Sequence, residues 1–397
     1  MSAPDLAIGP YTLTSALGCG LRATRSALRE GRSGLRPYQS AQVACHVGLV
    51  PELEAISWPA ALARYDCRNN RLALMGLETD GFARAVAVLR ARVGADRIGC
   101  VMGTSTSGIG ATEEAYRAMR AAGRNALEAD FPYRETHNVH SVSDFVQKRL
   151  GLRGPALTVS TACSSSAKVF GVAKRLIASG LCTAVVVGGV DSLCKTTIHG
   201  FAALQLLSAH PARPFAADRD GISIGEAAGF AVVAPCGLVK EATLRLAGTG
   251  DSSDAYHMTA PHPEAAGAIS AMNRALAQAR LAPTDLDYIH LHGTGTALND
   301  AAEDRALVAV GAGGVAASSL KGALGHTLGA AGIAGVILTG EAMAEGLIPA
   351  TTNTHVVDAT MGSAIAVATR RTAMRRALIN AFGFGGSNST LIVESLA

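Results

Sequence analysis

The 397-residue chain has no CxxC pair among its eight cysteines, which stand scattered at positions 19, 45, 67, 100, 163, 182, 194 and 236. That spacing supports neither a zinc site nor a disulfide framework, and it fits a reducing cytoplasm. No uninterrupted apolar run approaches the ~20 residues of a membrane span, and Met1-Ser-Ala-Pro-Asp5 has neither the basic nor the apolar region of a signal peptide. Charged residues are few, 17%, and the net charge is only +4. That is too small an excess to argue for nucleic acid, though it is compatible with an acidic protein partner. No low-complexity linker divides the chain.

Apolar residues make up 49% of the sequence, enough for a large core, and 44 glycines imply many tight turns and close backbone approaches. Short apolar runs alternate with longer helical patterns, the signature of an α/β protein. Arg97–Met102, Ala156–Ser160 and Thr183–Gly188 read as strands buried on both faces. Between the last two, Val169, Phe170, Val172, Ala173, Leu176 and Ile177 follow a helical period that stops at Gly180. The C-terminal half repeats the order. Ala316–Leu320 leads to a Gly/Ala-rich helix beginning near His326, and Ser363–Ala368 and Ala377–Asn380 follow as strands. Gly225–Val233 and Ser389–Val393 close the two halves as hairpin-like pairs. The repeat rests on order and spacing, and it predicts one compact unit in which the turns carrying Cys163 and His326 face each other.

Four stretches could carry chemistry. In Ser160-Thr-Ala-Cys-Ser-Ser-Ser166, Cys163 stands where a strand turns into a helix, and a helix N-terminus favours a thiolate. A lone cysteine there is equally readable as a small core residue. Tyr288-Ile-His-Leu-His292-Gly-Thr-Gly-Thr296 ends an apolar strand in a histidine and a glycine-threonine loop. Lys321-Gly-Ala-Leu-Gly-His326 places another histidine at a helix start. Either histidine alone is open to a structural reading; together with the cysteine they are harder to dismiss. Ala381-Phe-Gly-Phe-Gly-Gly-Ser-Asn388 is either a plain hairpin turn or a bend that presents backbone N–H groups to an oxyanion.

These motifs, in this order, resemble the elongating β-ketoacyl-carrier-protein synthases of the thiolase superfamily. The resemblance runs from Leu28-Arg-Glu-Gly-Arg-Ser-Gly34 to the Gly-Phe-Gly-Gly loop. It passes through Thr161-Ala-Cys-Ser-Ser165, Gly188-Gly-Val-Asp-Ser192, Arg213-Pro-Phe215, Arg219-Asp-Gly221, Gly225-Glu226 and Ser252–Thr259. It implies a thiolase-like duplicated α/β fold, layered α-β-α-β-α with two five-stranded mixed sheets. Its halves would be residues 1–237, including cap insertions, and 238–397. It implies Cys163 as the acylated nucleophile, His292 and His326 as the decarboxylation pair, and Phe384 as the gate whose N–H completes an oxyanion hole. Lys321 and Glu303 would support the histidines, Thr294 and Thr296 would hold the pantetheine arm, and Ile109 would sit at the acyl-pocket gate with Phe384. The implied reaction is decarboxylative condensation of malonyl-acyl carrier protein with a chain on Cys163, in fatty-acid or polyketide-type elongation. It needs no metal or redox cofactor.

Relatives separate on the same residues. A thiolase needs a second cysteine in its C-terminal half, yet the last here is Cys236. Initiating enzymes use Cys-His-Asn, whereas the third position here is His326. A chain-length factor, the non-catalytic alternative, has lost the nucleophile that Cys163 supplies. A hydrolase using a Cys-His pair is the remaining rival. Ala216 replaces the family's usual Asp after Arg-Pro-Phe, and Gly103-Thr-Ser-Thr-Ser-Gly-Ile-Gly110 replaces a shorter loop. That loop and Asp191-Ser-Leu-Cys194 are similar to synthases of aryl-polyene pigment clusters. The expected partners are an acyl carrier protein and a second copy, or a chain-length-factor-like subunit in its place. Arg68, Arg71, Arg120 and Arg124 are candidates for a basic carrier-docking patch.

Overall fold

The run Ala184-Val-Val-Val-Gly-Gly-Val-Asp191 is apolar throughout, and it folds as a strand in which every residue is buried. Alternation sends Val185 and Val187 into one core and Ala184, Val186 and Val190 into another. A strand buried on both faces requires helices on both sides, and the rest of the chain supplies them.

The computed structural model describes residues 5–396. Among the described residues, ten of the sixteen strands form the path of the largest sheet: β1 (Leu6–Ser15), β2 (Ile98–Gly103), β3 (Ala156–Val159), β4 (Ala184–Asp191), β5 (Ala227–Pro235), β6 (Leu244–Ser253), β7 (Tyr288–His290), β8 (Ala317–Ser318), β9 (Arg376–Gly383) and β10 (Ser387–Ser395). The first five lie in the order β3-β2-β4-β5-β1 and the second five in the order β8-β7-β9-β10-β6. The duplication is complete in direction as well. In each half the first three strands of that order are parallel, and the last two join antiparallel. Two residue pairs between β1 and β6, Ala7 with Arg245 and Ile8 with Leu244, join the two expected five-stranded sheets edge to edge, so that with Gly18–Cys19 beside β1 they form one eleven-stranded sheet instead of two separate ones. The change from one half to the other falls between Pro235 and Leu244.

Between the sheets lie helices α1 (Ser165–Ala178) and α2 (Ala331–Glu345), in contact with each other and with strands of both halves. A Cβ on Gly332 would stand 2.2 Å from the Ala167 nitrogen, so glycine at that position is what lets the two helix backbones touch. Arg68–Glu78 and Ser141–Leu150 cover the outer face of the first sheet, and Ala266–Ala279 covers that of the second. Three hydrophobic cores fill the gaps between these five layers. The stretch Leu328–Glu345 is the one among the described residues long and apolar enough to cross a membrane, and 83% of it is buried inside the protein.

Three local expectations fail, each for a tertiary reason. Strand β3 is an edge strand, not one buried on both faces, and Leu157 is 41% exposed. Ser363–Ala368 forms no strand, because only Ile365 bridges to Ala317. The Gly/Ala-rich helix starts at Ala331, after a 3-10 turn over Leu328–Ala330, so His326 precedes it in a loop held by backbone bonds to Ser223 and Gly225.

Candidate active site

The turn between β3 and α1 is made tight by Ala162, whose φ of 51° is the left-handed conformation a side chain seldom adopts. That twist aims Cys163 inward, toward the second half of the fold. Its Sγ lies 3.0 Å from His326 Nε2. The backbone N–H groups of Phe384 and of Cys163 itself both favour charge on the sulfur. The Phe384 loop comes this close because residue 383 is glycine. A Cβ there would stand 2.8 Å from the Thr161 carbonyl and 3.2 Å from the Cys163 nitrogen.

The expected lowering of the thiol by the helix start does not occur. Burial pushes Cys163 up to about 11, against the pull of Lys321 and the Phe384 N–H. Desolvation of the enclosed sulfur outweighs a half-charge at the helix end. Cys163 is therefore held as the neutral thiol.

The histidines meet edge to face, with ring centroids 5.4 Å apart. Their second nitrogens decide what they can do. His326 Nδ1 accepts the Leu328 N–H at 3.3 Å, and His292 Nδ1 faces the Lys321 ammonium at 3.4 Å. Each ring thus carries its proton on Nε2. Burial and the charge of Lys321 hold both rings well below the usual histidine range, so both are neutral donors at physiological pH.

Lys321 also donates to the His292 carbonyl, and burial lowers its ammonium to about 8. Glu303 accepts the backbone N–H groups of His292 and Gly293, each at 2.7 Å, and the Asn380 amide at 3.0 Å. Burial raises that carboxyl to about 7. The ionised, fully accepting Glu303 exists above about 7, and the ammonium of Lys321 exists below about 8. Any reaction that depends on a fixed His292 is therefore expected to peak between those values, falling on the acid side with Glu303 and on the alkaline side with Lys321. A pH–rate profile of malonyl decarboxylation tests this; a flat profile from pH 6 to 9 contradicts it.

Cys163, His292 and His326 open on a cavity of about 320 Å³, whose wall includes Thr294, Thr296 and Phe384. Thr294 and Thr296 hydroxyls lie 3.0 Å apart, beside the rings. The Phe384 ring rests on Phe201, 5.5 Å between centroids. Ile109 is not among the lining residues; it begins the helix Ile109–Ala121. Glu303 and Lys321 stand behind the histidines rather than in the cavity wall.

Two supporting residues escaped sequence reasoning. Asp300 accepts the N–H groups of Thr294, Gly295 and Phe215, which pins the threonine loop to Arg213-Pro-Phe215. Its position four residues after the cap Thr296 was the available signal. Asn380 faces Glu303 from β9, a contact across 77 residues with no local trace. The arginines divide. Arg68 is committed to the fully buried Glu226 at 2.6 Å and to Glu54, and Arg71 pairs with Asp66 at 2.6 Å and lies over Trp58. Neither is a free docking charge. Arg124 pairs with Glu128 at 2.8 Å, and Arg120 is exposed on its helix.

The arrangement places a thiol beside two backbone donors and two neutral imidazole donors on one cavity, a set suited to acyl transfer and to holding an enolate oxygen. The comparisons agree. Residues 73–236 match the β-ketoacyl synthase N-terminal domain, and residues 244–355 match its C-terminal domain. The mitochondrial 3-oxoacyl-[acyl-carrier-protein] synthase of Arabidopsis thaliana is 36% identical over 277 residues, 65% of this chain and 60% of that protein. Nodulation protein E of Rhizobium meliloti is 32% identical over 396 residues, 95% of this chain and 97% of its own. Among solved structures, a chain from the complex of a ketosynthase with its chain length factor from Xenorhabdus doucetiae is similar with a TM-score of 0.90. It is 34% identical, and the match covers 99% of this chain and 98% of that one. Two domain matches that together span most of the sequence, and a thiol–histidine centre at the meeting point of its two halves, lead to one conclusion: the chain belongs to the β-ketoacyl synthase family.

Proposed function

We propose that the protein is an active 3-oxoacyl-[acyl-carrier-protein] synthase, in which Cys163 carries the growing chain and His292 and His326 drive decarboxylation of the malonyl extender. The observation that carries this reading is the 3.0 Å contact between Cys163 Sγ and His326 Nε2 at the wall of one cavity. In the first half-reaction Sγ attacks the thioester carbonyl of an acyl carrier protein. The Cys163 and Phe384 N–H groups hold the oxyanion, and the thiol proton leaves on the departing pantetheine thiol. In the second, malonyl thioester enters past Thr294 and Thr296 and loses carbon dioxide. The electron pair of the broken C–C bond becomes an enolate, whose oxygen takes the two Nε2–H bonds. The enolate carbon attacks the Cys163 thioester. Collapse expels the sulfur, which takes a proton from solvent, and leaves a β-ketoacyl chain on the carrier.

Pairing with a chain-length-factor-like subunit is supported by the likeness to the ketosynthase complex. An aryl-polyenoyl chain is the acyl group we assign to Cys163, on the resemblance of Gly103–Gly110 and Asp191–Cys194 to synthases of aryl-polyene clusters. A non-catalytic role is disfavoured because the thiol and both imidazoles are present and in contact. The test is to supply acyl- and malonyl-carrier proteins and to measure carbon dioxide and β-ketoacyl product, with saturated and aryl-polyenoyl chains in parallel. Both products with the aryl-polyenoyl chain are expected. Carbon dioxide alone, or free acid from hydrolysis, would contradict the reading.

A further inference from the structure

Lys168 is out of place by helix electrostatics. It is the fourth residue of α1, beside the positive end of the helix dipole, where a cation is disfavoured. It is also partly buried, and burial lowers its amine, opposed by the charge of Asp251. Asp251 Oδ1 is itself buried without a hydrogen-bond partner. What Lys168 gains is one contact: its Nζ donates to Ser387 Oγ at 2.6 Å. The Ser164 hydroxyl reaches the same oxygen at 3.3 Å, and the Thr161 carbonyl at 2.9 Å. Ser164 directly follows Cys163, and Ser387 directly follows the loop Phe384–Gly386. The chain Lys168–Ser387–Ser164 therefore ties together the two backbone segments, packed against each other at Gly383 and Cys163, whose N–H groups favour charge on the Cys163 sulfur.

We infer that Lys168 is a positioning residue, which through Ser387 fixes the spacing of the Cys163 and Phe384 N–H groups and so tunes the oxyanion hole. The inference rests on the condensing role proposed above. It goes beyond it in separating two reactions by their supports: the lysine–serine chain braces the oxyanion hole, whereas Glu303 and Lys321 brace the histidines. Lys168 does not line the cavity.

The experiment compares acyl transfer to Cys163 with malonyl decarboxylation in the full-length protein and its variants. Lys168→Met and Ser387→Ala are each expected to slow acyl transfer by roughly ten- to a hundredfold, as small misplacements of reacting groups do, through kcat rather than KM. Decarboxylation should stay within twofold of the wild type. The double variant should be no slower than either single one, because both break the same chain, and Ser387→Thr, which keeps the hydroxyl, should retain the wild-type rate. Equal losses in both reactions would mean a general structural defect and would overturn the inference, as would unchanged acyl transfer in Lys168→Met. A wild type that never acylates Cys163 would instead overturn the function beneath it, and this inference with it.

Discussion

Replacing Cys163 by alanine will abolish acyl transfer and condensation, with a loss of at least about 10⁴-fold, and leave malonyl decarboxylation running. The size follows from the role proposed for the sulfur, formation of the covalent intermediate, and from its being the only thiol among the residues that line the cavity. His326 and His292 remain, and neither depends on the thiol for its tautomer. His326 keeps its proton on Nε2 through the Leu328 N–H, and His292 keeps its own through Lys321. Loss of the sulfur frees the His326 Nε2–H, which lies 3.0 Å away, for an enolate oxygen. The substitution removes one polarisable atom from a buried site and costs about 1 kcal/mol of stability. Radiolabelled carbon dioxide release, measured beside acyl-enzyme mass, separates the two activities. Full condensation in the variant would end the proposal, and so would loss of decarboxylation in a folded protein.

His292→Ala is expected to give the opposite split. Decarboxylation should fall by about 10²- to 10³-fold, the cost of removing one preorganised donor to a developing oxyanion. Acylation of Cys163 should fall less than tenfold, because the sulfur is hydrogen-bonded by His326 and not by His292. The backbone of residue 292 is held independently of its ring, through Glu303 to its N–H and Lys321 to its carbonyl, so the loop survives the truncation. Single-turnover acylation and malonyl decarboxylation, assayed on one preparation, give both numbers. Equal losses in the two would mean that the histidines act as one unit and that the division of labour is wrong.

What the sequence disclosed was local. The apolar run of β4, the strand-to-helix turn at Cys163 and the glycine-bounded histidines are written in neighbouring residues, and the last two open on the site. The duplicated order was legible too, and the strand directions repeat it completely. The failures lie where distant partners decide. Ala156–Ser160 reads as a buried strand, but only its neighbours in the sheet determine that it lies at the edge. Ser363–Ala368 has the composition of a strand and finds one bridge to pair with. Asn380 and Lys168 look like ordinary strand and helix residues until the fold sets them beside Glu303 and Ser387. The state of the Cys163 thiol was misjudged for the same reason. The helix start is visible in the sequence, and the enclosure that outweighs it is not.

The most direct test of the account is the mass of the active-site peptide through one turnover. After mixing with acyl-carrier protein alone, the peptide containing Cys163 should gain the mass of the acyl group, and no other cysteine should. On addition of malonyl-carrier protein that mass should disappear as a β-ketoacyl chain, two carbons longer, arrives on the carrier with one carbon dioxide released per chain. An acyl group on any other residue, or its loss as free acid without a lengthened chain, would contradict the account.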